Sequence, residues 1–477
     1  MACDYDLVII GGGAAGLTAA KTAQGFGKKV LIIEKKQLGG ECTWTGCVPS
    51  KALIKIAQVS HYANRLSDFG LKTLHPVEIN ADNCMSVVRQ RVQDVYAAHT
   101  PEVLRRLGIG VLIGAAVFKD KHTVVVDDKT ISFKKCIIAT GSRPYIPHIE
   151  GLDAVDYYTN NTIFNIDSLP RSLVILGGGA IGSEFACAFN RLGVQITIIE
   201  KQKRILLHED SECVTLLSRH MQQAGIRILA DHKAAKIVKQ ENGNIALTCV
   251  NSAGKQQDIY TDALLIAVGR AVNIGGLYLE RAGVKTRKRG IIVDKYLCTT
   301  ARNIFAAGDV VGPYQFSHMA WHQATTAVYN AFLFFFKKTV DYKNAMWVTF
   351  TCPELATAGL TEGAARKKYG KKIRVYKKEY KYFDRAVCDD QKIGMLKVIC
   401  DKKGFIIGAH AVGAHAGDII HELQIAKVKK IKFSDLVSIV HAYPTYAEIV
   451  WHVAKKAYVQ GLQQNIFLMI LKKLFGK

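Results

Sequence analysis

No second cysteine or histidine pair stands at zinc-ligand spacing downstream of Cys42 and Cys47, which excludes a structural zinc site built on those two thiols. No apolar run reaches the roughly 20 residues that a membrane-spanning helix needs. The one segment with membrane character, residues 466–475, is short and carries Lys472 and Lys473. No basic leader or cleavage site precedes the first predicted strand, because Met1 to Asp6 run straight into it. Twelve cysteines without such a leader are expected in a reducing, cytoplasmic compartment. Acidic residues are few beside basic ones, 40 against 64, for a formal net charge of +24. The lysines fall in short scattered runs such as Lys367-Lys368 and Lys371-Lys372, without interleaved aromatics or a nucleic-acid-binding fold signature, so no specific nucleic-acid partner is expected. The tail is open to three readings: an interfacial helix, a segment packed on its own dimer, or a plain terminal helix. Peripheral membrane contact through residues 463–477 is therefore an expectation to test. With 22% charged and 49% hydrophobic residues over 477 positions, the chain reads as a soluble globular protein of about three domains.

What is present starts with two thiols separated by four residues, Cys42 and Cys47, in the stretch Leu38-Gly-Gly-Glu-Cys-Thr-Trp-Thr-Gly-Cys-Val-Pro-Ser-Lys51. Thiol exchange needs an accessible attacking sulfur and a resolving partner. A short loop entering a helix supplies both, and the helix N-terminus lowers a thiol pKa. A disulfide here is expected to be catalytic. Lys51 lies four residues after Cys47, so on a helix both share one face and the cation lies near a thiolate.

A glycine-rich dinucleotide motif occurs twice, each time as strand, glycine turn, helix, strand and acid. The first has Gly11, Gly13, Ala14, Ala15 and Gly16 and ends at Glu34 and Lys35; the second has Gly177, Gly179, Ile181 and Gly182 and ends at Glu200 and Lys201. The spacing from Gly11 to Glu34 equals that from Gly177 to Glu200. Gly11 and Gly177 allow the tight turn, Gly13 and Gly179 admit a pyrophosphate, and Gly16 and Gly182 permit close packing of helix on strand. Glu34 and Glu200 are each expected to accept hydrogen bonds from an adenosine ribose. Two dinucleotide sites beside a redox thiol pair imply an electron relay from nicotinamide through flavin to disulfide, with the flavin at the first site.

At this point the chain resembles the pyridine nucleotide-disulfide oxidoreductases, the family of dihydrolipoamide dehydrogenase, glutathione reductase and mercuric reductase. The segments Ala139-Thr140-Gly141-Ser142-Arg143-Pro144 and Ala267-Val268-Gly269-Arg270 are similar to its strand-end turns, Thr300 to Gly308 and Asp309 to its second flavin segment, and Phe316 to Met319 and Ala320 to the turn after it. The resemblance implies an α/β chain with two Rossmann-like dinucleotide-binding domains and a C-terminal α+β dimerisation domain. It places FAD at 1–149 and 275–345, NAD(P) at 150–274 and the dimer interface at 346–477. It implies a homodimer. By the same resemblance Cys47 faces the flavin, Cys42 meets the substrate, Lys51 pairs with Glu184, and Gly40 joins the flavin cradle. Glu200 points to NADH, since it repels a 2′-phosphate, while Lys201, Lys203 and Arg204 leave NADPH open.

The chain departs from its relatives where disulfide-reducing members carry His-Pro-Thr followed by a glutamate. Here the segment is His441-Ala-Tyr443-Pro444-Thr445-Tyr446-Ala447-Glu448, with tyrosine at the base position. Unperturbed Tyr and His differ by about 3.5 pKa units, about 5 kcal/mol in readiness to accept a proton at neutral pH. Tyr443 is thus a poor base but can donate a hydrogen bond to a thiolate or contact a sulfur-bound metal, a mercuric reductase trait. His441 is the alternative base, or a packed interface histidine. The vicinal C-terminal cysteines typical of mercuric reductases have no counterpart, since the last cysteine is Cys400. The resulting expectation is a mercuric-reductase-like enzyme passing electrons to a small soft acceptor, a disulfide or a thiol-bound metal ion, with no resident metal site. Dihydrolipoamide dehydrogenase and a membrane-docked flavoprotein reducing a quinone or partner protein are the alternatives.

Overall fold

The computed structural model describes residues 3–72, 75, 78–333 and 335–464; the apolar-basic tail expected to meet a membrane lies almost wholly outside them. The chain divides into two compact units. One runs through residue 148 and then takes 156–170 and 263–342; the other takes 149–155, 171–262 and the chain from 343 onward.

In the first unit, β1 (Tyr5–Ile10) leads into α1 (Ala14–Gly25) and β2 (Val30–Glu34), followed by α2 (Gly40–Trp44) and α3 (Cys47–Ala63). Further on come β3 (Ile109–Ile113), β4 (Ala116–Asp120), β5 (Thr123–Val126) and β6 (Lys129–Ile138). They form one sheet in the order β3-β2-β1-β6-β5-β4, with a short strand Ile304–Ala306 also on β6. The pairings around β1 are parallel, with Val8 opposite both Leu31 and Cys136. The last four residues of β1 are buried, as the near-continuous apolar run of a strand covered on both faces demands. Ile10 is level with Ile138, and Ile138 with Ala306. The chain therefore leaves all three strands at one carboxyl edge, with Gly11, the turn 139–141 and Asp309 following directly, and ligands bind outside such edges.

Arg270–Val272 pairs antiparallel with Ser142–Pro144, and the Thr140 hydroxyl donates to the Asn273 carbonyl at 2.6 Å.

In the second unit the strands Ser172–Leu176, Gln195–Glu200 and Arg227–Ala230 pair in parallel, with the helix Ala180–Arg191 between the first two. An antiparallel sheet of His232–Lys239, Ile245–Asn251 and Gln256–Thr261 follows. The C-terminal part is a five-stranded antiparallel sheet, Met346–Thr349, Glu354–Gly359, Ile406–Gly413, Met395–Cys400 and Arg374–Glu379 in spatial order. Its apolar face, including Leu396, Val398 and Ala409, shares a core with Ile420 and Leu423 of the helix Ala416–Val428 and Val450 and Val453 of the helix Glu448–Gln463. This is an α+β layer. Among the described residues no helix is long and apolar enough to cross a membrane.

Candidate active site

The two glycine loops have the same local geometry. Gly11 and Gly177 sit at φ +107° and +104°, a left-handed conformation that suits glycine. A Cβ on Gly16 would lie 1.8 Å from the Gly11 carbonyl oxygen, and one on Gly182 would lie 2.0 Å from that of Gly177, so each helix is seated on its own turn. Glu34 accepts from the Gly12 N–H at 2.7 Å and the Lys36 N–H at 2.9 Å; Glu200 accepts from the Gly178 and Gln202 N–H groups, both at 2.8 Å. The two acids expected to meet ribose thus also brace their glycine loops.

Both helices start at a glycine, Gly13 or Gly179, with no side-chain cap. A Cβ added at Gly179 would meet nothing within 4 Å, and one at Gly13 only the Gly40 Cα at 3.6 Å. Open, uncapped N–H groups at two helix starts fit two pyrophosphates. Around the first start, Ala15 lies against Gly308, whose N–H donates to the buried Gln323 side chain at 2.7 Å. Met319 and Ala320 are buried in the helix Ser317–Phe332. Gly141 has φ +68° and Gly269 φ +140°; Val268, Lys35 and Lys201 are exposed.

Cys42 lies in α2 and Cys47 opens α3. Both are thiols here, hydrogen-bonded to each other; the bond to Cys47 and burial push the Cys42 thiol well above its usual range. The Cys47 sulfur is exposed and lies 3.6 Å from the Ser317 hydroxyl oxygen. Lys51 is one turn along α3, and its ammonium is 3.4 Å from the Ser50 hydroxyl. Trp44, between the cysteines, donates to the Leu38 carbonyl at 2.7 Å and packs its ring 4.8 Å from that of Tyr96.

A buried polar chain not anticipated from sequence runs beside the thiols. Glu41, next to Cys42, makes a bidentate pair with Arg270, its Oε1 at 2.8 Å from Nη1 and its Oε2 bonded to Nη2. Asn160 donates to the same carboxylate at 2.5 Å and to the Thr45 carbonyl at 3.1 Å. Arg270 Nε donates to the Ser142 hydroxyl at 2.7 Å, which donates to Asp309 at 2.5 Å. Burial raises the Asp309 carboxyl despite Ser142 and Arg270. An acid directly before the first cysteine was the only sequence signal for this chain of bonds.

In the second unit, Glu184 is buried on the helix Ala180–Arg191 and accepts from the Phe350 N–H at 2.9 Å. Arg204 donates to three carbonyls, those of Leu206, Leu207 and Glu209. The three C-terminal candidates each have a different hydrogen-bond partner, and the Glu448 charge also acts on the Tyr443 phenol. Tyr443 is 69% exposed and donates to Asp384 at 3.1 Å, a bond that raises its phenol pKa. His441 is held at both ring nitrogens, by Glu422 at 3.0 and 3.1 Å and by the Ile439 carbonyl at 3.0 Å. Glu448 is bonded to His452 at 3.1 Å, one turn along its own helix. Among the described residues no group of three or more His, Cys, Asp or Glu side chains is placed to hold a metal ion.

Residues 5–330 match the pyridine nucleotide-disulphide oxidoreductase family, and residues 345–454 match its dimerisation domain. The chain belongs to this family. A mercuric reductase from Staphylococcus aureus is 32% identical over 454 residues, 93% of this chain and 81% of that protein. A dihydrolipoyl dehydrogenase from Rhizobium etli is also 32% identical, over 479 residues, 96% and 99% of the two chains. Among solved structures, the HOCl-induced flavoprotein disulfide reductase RclA from Escherichia coli superposes with a TM-score of 0.85 at 28% identity, covering 94% of this chain and 99% of that one. This member of the family is an FAD-dependent oxidoreductase, and FAD and NAD(P)H are its cofactors.

Proposed function

We propose that the chain works as a homodimer that takes electrons from NAD(P)H, NADH by preference, and delivers them through the Cys42, Cys47 pair to a small soft acceptor, as a mercuric-reductase-like enzyme. The observation that carries this reading is the contact between those two sulfurs at an uncapped helix start, with Cys47 on the exposed side. FAD, cradled by Gly11, Gly13, Gly40 and Asp309, supplies the two-electron chemistry that joins NAD(P)H to the sulfurs.

The disulfide form of the pair gains two electrons and two protons and becomes a dithiol, while NAD(P)H becomes NAD(P)⁺; the hydride accounts for both electrons and one proton, and solvent gives the second proton. Toward an acceptor disulfide, the Cys42 sulfur attacks, one acceptor thiol leaves, and Cys47 then attacks Cys42 to release the second thiol and restore the bridge. Toward a thiol-bound soft ion such as Hg(II), the two sulfurs replace its thiol ligands, which leave, and the ion then accepts the two electrons that NAD(P)H supplies and departs as the metal. Tyr443 favours the metal reading, because an exposed phenol hydrogen-bonded to a carboxylate contributes little as a base at neutral pH. The preference for NADH rests on Glu200 and on Arg204, whose donors are engaged by backbone carbonyls.

Anaerobic reduction by NADH is expected to yield a thiolate-to-flavin charge-transfer band, and the reduced protein should then turn over thiol-ligated Hg(II) in preference to lipoamide or glutathione disulfide. Lipoamide turnover at dehydrogenase-like rates would overturn the choice of acceptor. Cys42→Ser should abolish turnover of all three acceptors and spare any direct transfer to a quinone.

A further inference from the structure

We propose that Arg270 and Glu41 form an electrostatic bias on the redox pair, in which Arg270 stabilises a thiolate at Cys47 and Glu41, its bidentate partner, limits that stabilisation. The inference rests on the reading of Cys42 and Cys47 as the redox pair and adds two positioning residues to it. All the groups involved belong to the first unit.

The argument begins with burial. The Arg270 side chain is 15% exposed and that of Glu41 24%, so their charges act through protein rather than bulk water. Glu41 is covalently next to Cys42 in α2, and Cys42 is hydrogen-bonded to Cys47, so the guanidinium forked onto the Glu41 carboxylate stands beside the thiol pair. Asn160 ties the Glu41 carboxylate to the Thr45 carbonyl, which fixes the loop between the cysteines against the same pair. On the far side Arg270 Nε lies 3.6 Å from Asp309, with Ser142 between them. Among the described residues, the charged and titratable groups on the elements that carry the sulfurs and on the bonded chain beside them include Glu41, Arg270, Asp309, Cys42 and Lys51.

A guanidinium flanked by carboxylates, Glu41 on one side and Asp309 on the other, has a weakened field at a distance. What reaches Cys47 is the sum of opposed contributions from the two members of the pair. Removing either member unmasks the other. The expected effects on the Cys47 thiolate are thus opposite in sign, whereas a clamp that merely holds the loop would loosen in the same way whichever member is lost.

The test is a pH titration of the charge-transfer absorbance in the two-electron-reduced holoenzyme, with a parallel titration of ultraviolet thiolate absorbance in the reduced apoprotein. Arg270→Gln should raise the Cys47 pKa by about one unit or more, and Glu41→Gln should lower it by a similar amount, the size expected for one close charge. Arg270→Lys, which keeps the charge without the fork, should titrate close to wild type. Shifts of the same sign in Arg270→Gln and Glu41→Gln, or no shift in either, would overturn the inference. If Arg270→Gln does not fold, the direction of the Glu41→Gln shift decides alone. A wild-type protein that shows no reducible thiol pair at all would instead overturn the underlying reading of Cys42 and Cys47.

Discussion

Tyr443 and Glu200 are the residues on which the proposed acceptor and cofactor choice rests. Tyr443 donates to Asp384, so a histidine there would present an imidazole beside a carboxylate, the arrangement that suits a proton acceptor near neutral pH. Tyr443→His should therefore raise lipoamide turnover by roughly tenfold or more, the low end of what general base catalysis contributes, while Tyr443→Phe should not. Steady-state rates with lipoamide between pH 6 and 9 check this, and equal rates in both variants would remove Tyr443 from the argument. Glu200 both repels a 2′-phosphate and holds the Gly178 N–H. Glu200→Ala should shift the ratio of kcat/KM for NADH over NADPH by about tenfold toward NADPH, about 1.4 kcal/mol. An unchanged ratio would leave Glu200 only its bracing role. Neither residue's hydrogen-bond partner was visible in the sequence, because Asp384 lies 59 positions from Tyr443 and the Gly178 bond depends on how the glycine turn folds back.

At the scale of single elements, the two glycine-turn helices are the parts most fully determined locally. Their third glycines allow a helix to start within contact distance of the preceding turn, and any side chain there collides with a carbonyl oxygen. Gly16→Ala should therefore yield protein that retains little flavin, measured by the ratio of flavin to protein absorbance. Gly182→Ala should keep the flavin and lose NADH reduction. Flavin loss in both variants, or in neither, would contradict the assignment of the two sites. The elements around the thiols were less readable. The sequence places Cys47 and Lys51 on one helical face, but the short helix α2, its left-handed start at Gly39 and the anchoring of Trp44 on Leu38 and Tyr96 follow from contacts with other segments.

At the scale of the whole molecule, the second unit is tied together by a buried cation. Lys397, on the C-terminal sheet and 2% exposed, contacts Asp210 and Glu212 at 3.0 Å each and Glu362 at 2.5 Å. Asp210 and Glu212 come from the nucleotide-binding segment, so the ion cluster joins two stretches nearly 190 residues apart. Burial raises the three carboxyl pKa values, but bonds from the Glu362 N–H to Asp210, from Lys377 to Glu212 and from Lys397 to Glu362, with the Lys397 charge, outweigh it and leave all three lowered. Groups whose folded pKa is lowered contribute stability that is present above their unfolded values and lost as pH falls through the folded ones. Lys397 is raised, so its contribution is present below its ordinary pKa and is lost only in strong alkali. The cluster is therefore intact from about pH 5 to 10 and fails in acid below about pH 4. Lys397→Ala should cost about 3 kcal/mol at pH 7, because it leaves the buried Asp210 carboxylate without its cation while Glu212 and Glu362 keep Lys377 and Arg366, and the loss should shrink in acid. Chemical denaturation at pH 7 and pH 4 measures both; a cost equal at the two values would show that packing rather than charge is responsible.

The sequence by itself determined the family, the two dinucleotide turns with their acids, the spacing of Cys42, Cys47 and Lys51, and the α+β character of the C-terminal part, because each depends on residue type over a few turns of chain. Tertiary structure alone decided what those residues touch. Glu41 meets Arg270 across 229 positions, Glu448 pairs with His452, and His441 is held by Glu422. Such pairings follow from strand order and from the burial of charge, which rewards whichever counter-ion the fold brings near, and no local pattern of side chains encodes that choice.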